Sequence, residues 1–320
     1  MQAQNPLLYT IKSALLGVAI GDALGVPFEF IPKEIMLKDK ATKMVGGGSH
    51  GMPIGTFSDD SSLTFCLAEA LTHGFNLDKI GENFIRWYMF GFWTAYGEVF
   101  DIGETVRRSI HRLNNGCSPE LAGGADELDN GNGALMRILP LLFYIKEKSI
   151  EERFLITQKV ASITHRHIRS TIACFYYLEF AKQILEGKRL LEIYHNLQTL
   201  ISSFLIEKGI DIKEIAVYNH LLKGKIYKLP ESEITAECYV VETLEASIWS
   251  LLTTNNYKEA TLQAVNLGDD TDTTAAVTGG LAGLYYGFEG IPNDWVAQIV
   301  KRKDIENLAE RLTNKLLKDE

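Results

Sequence analysis

Residues Leu267 to Gly287 read LGDDTDTTAAVTGGLAGLYYG, a run of acidic and hydroxyl side chains that opens directly into small apolar residues. Ala275, Gly279, Ala282 and Gly283 share one face of the helix this spacing predicts, and Ala14, Gly17, Val18 and Gly21 do the same near the N-terminus. Each interior glycine lowers helix propensity by about 1 kcal/mol relative to alanine, so something must offset that cost. Close backbone packing at the centre of a helical bundle would, since small side chains let axes approach below the usual spacing of about 8–10 Å. A membrane helix pair uses similar residues, but Asp22 and Asp272 argue against it.

Central packing of these two helices would also carry the residues at their ends into one pocket. The late helix opens on Asp269-Asp270-Thr271-Asp272-Thr273, and a second helix of largely small apolar residues opens on Ser58-Asp59-Asp60. Serine and aspartate are favoured N-caps, and acidic first turns suit the helix dipole. Capping explains one or two such residues, with Asp269 the natural N-cap, but a helix start has only about four free N–H groups. Converging carboxylates repel one another and need a cation, and an all-oxygen set suits Mg²⁺, Mn²⁺ or Ca²⁺, whereas zinc would ask for His or Cys.

The remaining chain reads as helical. Apolar residues recur at three and four positions over 10–24, 61–73, 77–92, 103–113, 151–163, 168–186, 190–206, 240–253, 257–266 and 302–317, and strand alternation is almost absent. Connections are short and punctuated by glycine and proline, without a linker or repeat, so the expectation is one all-α domain over 1–320. With 320 residues, 46% of them hydrophobic and 23% charged, the composition is globular. A net charge of −9 without a basic patch argues against nucleic acid as a partner. Four cysteines without a C-x-x-C pair fit a reducing cytoplasm. The apolar run Ala14–Ile20 is broken by Asp22, and no stretch approaches about 20 uninterrupted apolar residues, so neither export nor membrane insertion is expected.

Six segments then carry a resemblance. Gly17–Glu29 (GVAIGDALGVPFE), Gly55–Asp60 (GTFSDD), Gly131–Pro140 (GNGALMRILP), Thr164–His167 (THRH), Tyr239–Trp249 (YVVETLEASIW) and Leu267–Gly287 span almost the whole chain. In this order the chain resembles the ADP-ribosylglycohydrolases, the group of dinitrogenase-reductase-activating and ADP-ribosylarginine hydrolases. The resemblance implies a compact orthogonal helical bundle with a two-magnesium centre, manganese being the alternative. Its ligands would be Ser58, Asp59, Asp60, Asp270, Asp272 and Thr273, with Ser58 standing where many relatives have threonine.

The resemblance also implies roles for other residues. Glu29, in a loop after the first helix, would be catalytic or gating, and Asp101 would be catalytic unless it caps the helix beginning near Glu104. Gly131, Asn132 and Gly133 precede a helical run and would offer backbone N–H groups to a diphosphate. Met136 and Arg137 complete that pattern as ligand contacts, with a buried ion pair as the alternative for Arg137. His165 would contact ribose or phosphate, His167 would be structural, and Tyr239 would stack on adenine. Cys238 stands where relatives commonly have glycine.

The activity implied is metal-dependent hydrolysis of the N-glycosidic bond between ADP-ribose and an arginine side chain of a modified protein, releasing ADP-ribose. The metals would bind ribose hydroxyls, with Glu29 or Asp101 moving the proton. The alternatives are the same chemistry on an O-linked or small-molecule ADP-ribose, and a non-catalytic ADP-ribose-binding member. A prenyl synthase is a weaker match, because Asp59-Asp60-Ser61-Ser62-Leu63 lacks a fifth-position aspartate.

Overall fold

The computed structural model describes residues 5–319; residues 1–4 and 320, which the single-domain expectation includes, lie outside the described residues. The fold is all-α, with no β-strand among the described residues and only isolated backbone bridges such as Gly131 with Tyr239. The longer helices are α1 (Pro6–Gly25), α2 (Asp59–Leu71), α3 (Leu77–Phe90), α4 (Glu104–Asn114), α5 (Ile150–Ser162), α6 (Ile168–Leu185), α7 (Leu190–Glu207), α8 (Val240–Leu252), α9 (Tyr257–Val265), α10 (Thr271–Tyr286) and α11 (Arg302–Asp319). Shorter helical turns, such as Leu141–Ile145 and Asn293–Gln298, join them. One contiguous apolar core runs from Ile11 of α1 to Leu312 of α11.

The glycine faces meet at the centre. A Cβ on Gly17 would strike the Gly279 backbone, one on Gly21 the Ala275 carbonyl, and one on Gly25 the backbone of Asp272. Positions ascend along α1 as they descend along α10, so the pair is antiparallel, and the missing side chains are what allow the approach. Tyr257 of α9 donates to the Gly17 carbonyl at 2.7 Å, and Tyr177 of α6 donates to that of Val277 at 3.0 Å, so the surrounding helices grip the pair through its backbone. By composition the stretch Pro6–Phe28 could pass for a membrane span, but most of it is buried inside the fold.

Antiparallel packing places the C-terminal end of α1 beside the N-terminus of α10. Helix α2 starts at the same place because Asp22 of α1, fully buried, accepts from the backbone N–H of Ser58 at 2.8 Å and of Ser61 at 3.0 Å. An aspartate from another helix thus satisfies the start of α2.

Candidate active site

The two acidic clusters converge. Ser58 Oγ donates to Asp60 Oδ2 at 3.0 Å, and Thr273 Oγ1 donates to the same oxygen at 3.3 Å. Oxygens of Asp22, Asp60 and Asp272 lie within 4.8 Å of one another, as do those of Glu29, Asp101 and Asp272, so Asp272 belongs to both groups. Asp60 Oδ1 and Asp272 Oδ2 are buried and have no hydrogen-bond partner among the described residues. Leaving a buried acceptor unpaired costs roughly 1–3 kcal/mol, and more for a charged one. Orphaned, hard carboxylate oxygens on residues clustered in this way fit a divalent cation.

The electrostatics agree. Burial, reinforced by neighbouring carboxylates, pushes Asp59, Asp60 and Asp272 well above the usual carboxylate range. Burial also raises Asp22 to about 7, against the pull of its hydrogen bonds from Ser61 and Ser58. Glu29 is raised to about 9 by burial and by the charges of Asp101, Asp270 and Asp22. Clustered acids that resist ionisation would ionise around a cation, which reverses the sign of the local field.

Above the clusters opens a cavity of about 310 Å³ whose walls include Glu29, Asp59, Asp101, Asp270, Thr273 and His165. The loop Gly131–Gly133, Met136 and Cys238 complete much of the wall. Glu29 follows the turn Val26–Phe28, and its carboxylate is hydrogen-bonded by His50. The His50 ring lies 5.9 Å from that of Phe30 and 5.2 Å from that of Phe100.

Several expectations need correction. Asp269 is not an N-cap: it has φ of 58°, and its backbone exchanges hydrogen bonds with the Glu29 loop, to Ile31 O at 2.9 Å and from Phe30 N at 2.7 Å. The residue tethers the first helix's exit loop to the second acidic cluster. Asp101 caps nothing, because Gly103 is the N-cap of α4. The segment after Gly131 is a 3₁₀ turn, Asn132–Ala134, and not the start of a longer helix, and the Asn132 N–H donates to Cys238 O at 3.0 Å. Asn132 instead turns its amide on the acidic cluster, donating to Asp270 Oδ2 at 2.6 Å and to Thr243 Oγ1 at 2.9 Å.

Arg137 is not a cavity residue. It is fully buried beneath the loop and has no acidic partner among the described residues, donating instead to Gly133 O, Val160 O and Thr164 Oγ1. Tyr239 stands half-buried across the backbone bridge from Gly131, with its hydroxyl 3.4 Å from Arg169, outside the cavity wall itself. His167 is the N-cap of α6, its Nδ1 accepting from Arg169 N at 3.2 Å.

Two residues escaped the sequence reading. Asp22 had a signal, a carboxylate in mid-helix flanked by small apolar residues, where an unpaired charge would be costly. His50 had none, since nothing local in Ser49-His50-Gly51 points to a glutamate 21 positions earlier.

Comparisons with known proteins agree with this geometry. The profile of the ADP-ribosylglycohydrolase family matches residues 4–320. The chain is 33% identical to the ADP-ribosylarginine hydrolase Tri1 of Serratia proteamaculans (strain 568), over 94% of this chain and 78% of that one. It is 29% identical to the ADP-ribosyl-[dinitrogen reductase] glycohydrolase of Rhodospirillum rubrum, over 89% of this chain and 88% of the other. A solved chain described as an ADP-ribosylglycohydrolase-related protein complex superposes with a TM-score of 0.80 at 30% identity, covering 97% of this chain and 99% of that one. With the match running through both acidic clusters and the cavity between them, the chain belongs to the ADP-ribosylglycohydrolase family.

Proposed function

We propose that the cavity binds an ADP-ribosyl group attached to an arginine side chain of a protein and that the enzyme hydrolyses the N-glycosidic bond between them. The observation that carries this reading is the sharing of Asp272 between two carboxylate groups, with oxygens left unpartnered on Asp60 and Asp272. Ser58, Asp59, Asp60, Asp270, Asp272 and Thr273 would hold two Mg²⁺ ions, or Mn²⁺, which when bound supply Lewis acidity and a template for ribose hydroxyls. Asn132 holds the Asp270 carboxylate in place, and Asp22 fixes the start of α2, so this oxygen set is preorganised.

The proton handling falls to Glu29 and Asp101, both on the cavity wall. Water attacks C1″ as the bond to the guanidine nitrogen breaks, and one of these carboxylates takes the water proton. The carboxylate passes that proton to the departing guanidine nitrogen, which takes the electron pair of the broken bond and leaves as the guanidinium of free arginine, and the other product is ADP-ribose. The arginine assignment is supported by the two arginine-hydrolase relatives named Tri1, at 33% and 31% identity. It is also supported by the carboxylates of Glu29, Asp59, Asp101 and Asp270 on the wall, which suit a leaving group that departs as a cation.

The test is a pair of acceptors. Protein modified on arginine and peptide modified on serine are incubated with the enzyme and Mg²⁺, and released ADP-ribose is quantified. Release from arginine with little from serine is expected; release from serine alone rejects the arginine assignment, and release from neither rejects the activity.

A further inference from the structure

Arg137 looks out of place as a buried guanidinium, and its surroundings say what it does. Nε donates to Gly133 O at 3.1 Å, Nη2 donates to Val160 O at 3.2 Å and to Thr164 Oγ1 at 2.8 Å, and the guanidinium lies 4.5 Å over the Phe84 ring. Burial lowers its pKa only to about 10, so at neutral pH it remains a cation with donors and no acceptor. Thr164 is fully buried, and its hydroxyl is also 2.9 Å from Nδ1 of His165.

These contacts fix the direction of the second hydrogen bond. Thr164 Oγ1 accepts from Arg137 and has one proton to give, and the acceptor within reach is His165 Nδ1. Were Nδ1 protonated, the threonine oxygen would face two donors and its own proton would be buried without a partner, which is costly. The satisfied arrangement is a neutral imidazole with its proton on Nε2. That edge of the ring borders the Gly131–Gly133 loop: a Cβ on Gly131 would lie 3.5 Å from Nε2 and one on Gly133 2.9 Å from Cε1. Arg137 therefore holds both sides of this contact, the loop through the Gly133 carbonyl and the ring through Thr164. Burial and the positive charge of Arg137 push the ring's pKa to about 3, which keeps it neutral.

We propose that Arg137 and Thr164 are positioning residues that lock His165 as its Nε2–H tautomer, so that the ring presents a hydrogen-bond donor to an acceptor oxygen of the ligand in the cavity. The tautomer follows from the chain's own contacts, whereas the ligand's identity rests on the ADP-ribosyl reading above. A neutral donor contributes orientation without a positive charge that would compete with a cation at the carboxylates.

Long-range ¹H–¹⁵N correlation spectra of ¹⁵N-histidine-labelled protein test this, with His165→Gln used to assign the signals. Wild type without ligand should show an unprotonated Nδ1 and a protonated Nε2 at His165. Thr164→Val should shift the ring toward the other tautomer and weaken ADP-ribose binding about tenfold, the scale of one oriented hydrogen bond; Thr164→Ser should restore both. A wild-type ring protonated on Nδ1, or a Thr164→Val spectrum identical to wild type, overturns the relay. If Thr164→Val does not fold, the wild-type spectrum decides alone. A correct tautomer in a protein that does not bind ADP-ribose rejects the ligand reading and leaves the tautomer assignment standing.

Discussion

Thr273 donates a hydrogen bond of 3.3 Å to Asp60 across a separation of 213 positions, and at this bond the start of α10 meets the start of α2. Ser58 donates to the same carboxylate oxygen, while the other oxygen of Asp60 has no partner among the described residues. One oxygen is held by two hydroxyls and the other is left unpartnered in a residue whose carboxylate clusters with those of Asp22 and Asp272, an asymmetry that capping does not require and a cation does.

Removing a carboxylate from this cluster should therefore have opposite effects on activity and on metal-free stability. Asp60→Asn and Asp272→Asn are each expected to lower the rate of ADP-ribose release at least about 100-fold, more than is lost when a residue that only orients a metal ligand is changed. Both should raise the melting temperature of the chelator-treated protein, because folding no longer has to protonate a buried carboxylate that is ionised in the unfolded chain. Melts with and without Mg²⁺ check this. A variant that keeps the wild-type Mg²⁺ shift would show that the residue is not a ligand.

The raised carboxyl groups set a pH dependence. Glu29 has its folded pKa at about 9 in the metal-free fold against 4.5 as its ordinary value, so between these limits the folded protein holds a proton that the unfolded chain has released. By linkage the metal-free protein loses stability as pH rises through that window and loses no more above it. Cation binding displaces such protons, so Mg²⁺ should stabilise more at about pH 9 than at about pH 6. Thermal melts across this range test the sign, and a flat metal-free profile contradicts it.

Glu29→Gln should lower kcat by about 10²–10⁴-fold, the usual scale for a lost general acid or base. Asp101→Asn provides the comparison, and the larger loss identifies the proton acceptor. His50→Ala removes the hydrogen bond to Glu29 and should lower kcat less than Glu29→Gln does. Steady-state kinetics with KM and kcat separated distinguish these outcomes; equal kcat for wild type and Glu29→Gln would remove Glu29 from the mechanism.

Gly21→Ala tests the packing that carries the site. A methyl there would strike the Ala275 carbonyl, a backbone atom that cannot turn aside. The expected loss is about 3 kcal/mol or failure to fold, at the upper end of overpacking costs, although alanine improves helix propensity. Denaturant unfolding measures it, with one cooperative transition expected for wild type; a stability equal to wild type would mean that α1 and α10 are farther apart than described.

How much of this was legible in the sequence depended on the range of each interaction. The small faces of α1 and α10 were legible because helical spacing displays them, and bounds such as 240–253 against Val240–Leu252 differ only at the frayed end. Short turns such as Ile212–Ala216 escaped because five residues span little more than one turn, too few for an apolar face to recur. The convergence of the acidic clusters was legible from composition, since capping could not account for so many carboxylates. The position of Arg137 was not: an arginine in Leu135-Met136-Arg137-Ile138 reads equally as a ligand contact or an ion-pair partner, and the structure gives it neither role. Asp269 was misread because nothing local signals its left-handed backbone or its bonds to Phe30 and Ile31. Both errors concern partners distant in the chain, where a single sequence holds the residue type but not the neighbour.

The most direct measurement of the central claim is ADP-ribose release from arginine-modified protein by one enzyme preparation, assayed as purified, after exhaustive chelation, and after Mg²⁺ is restored. Loss of release on chelation and its full return with Mg²⁺, both absent in Asp272→Asn, is the result expected if the shared carboxylates hold the catalytic cations. Undiminished release in the presence of chelator would contradict it.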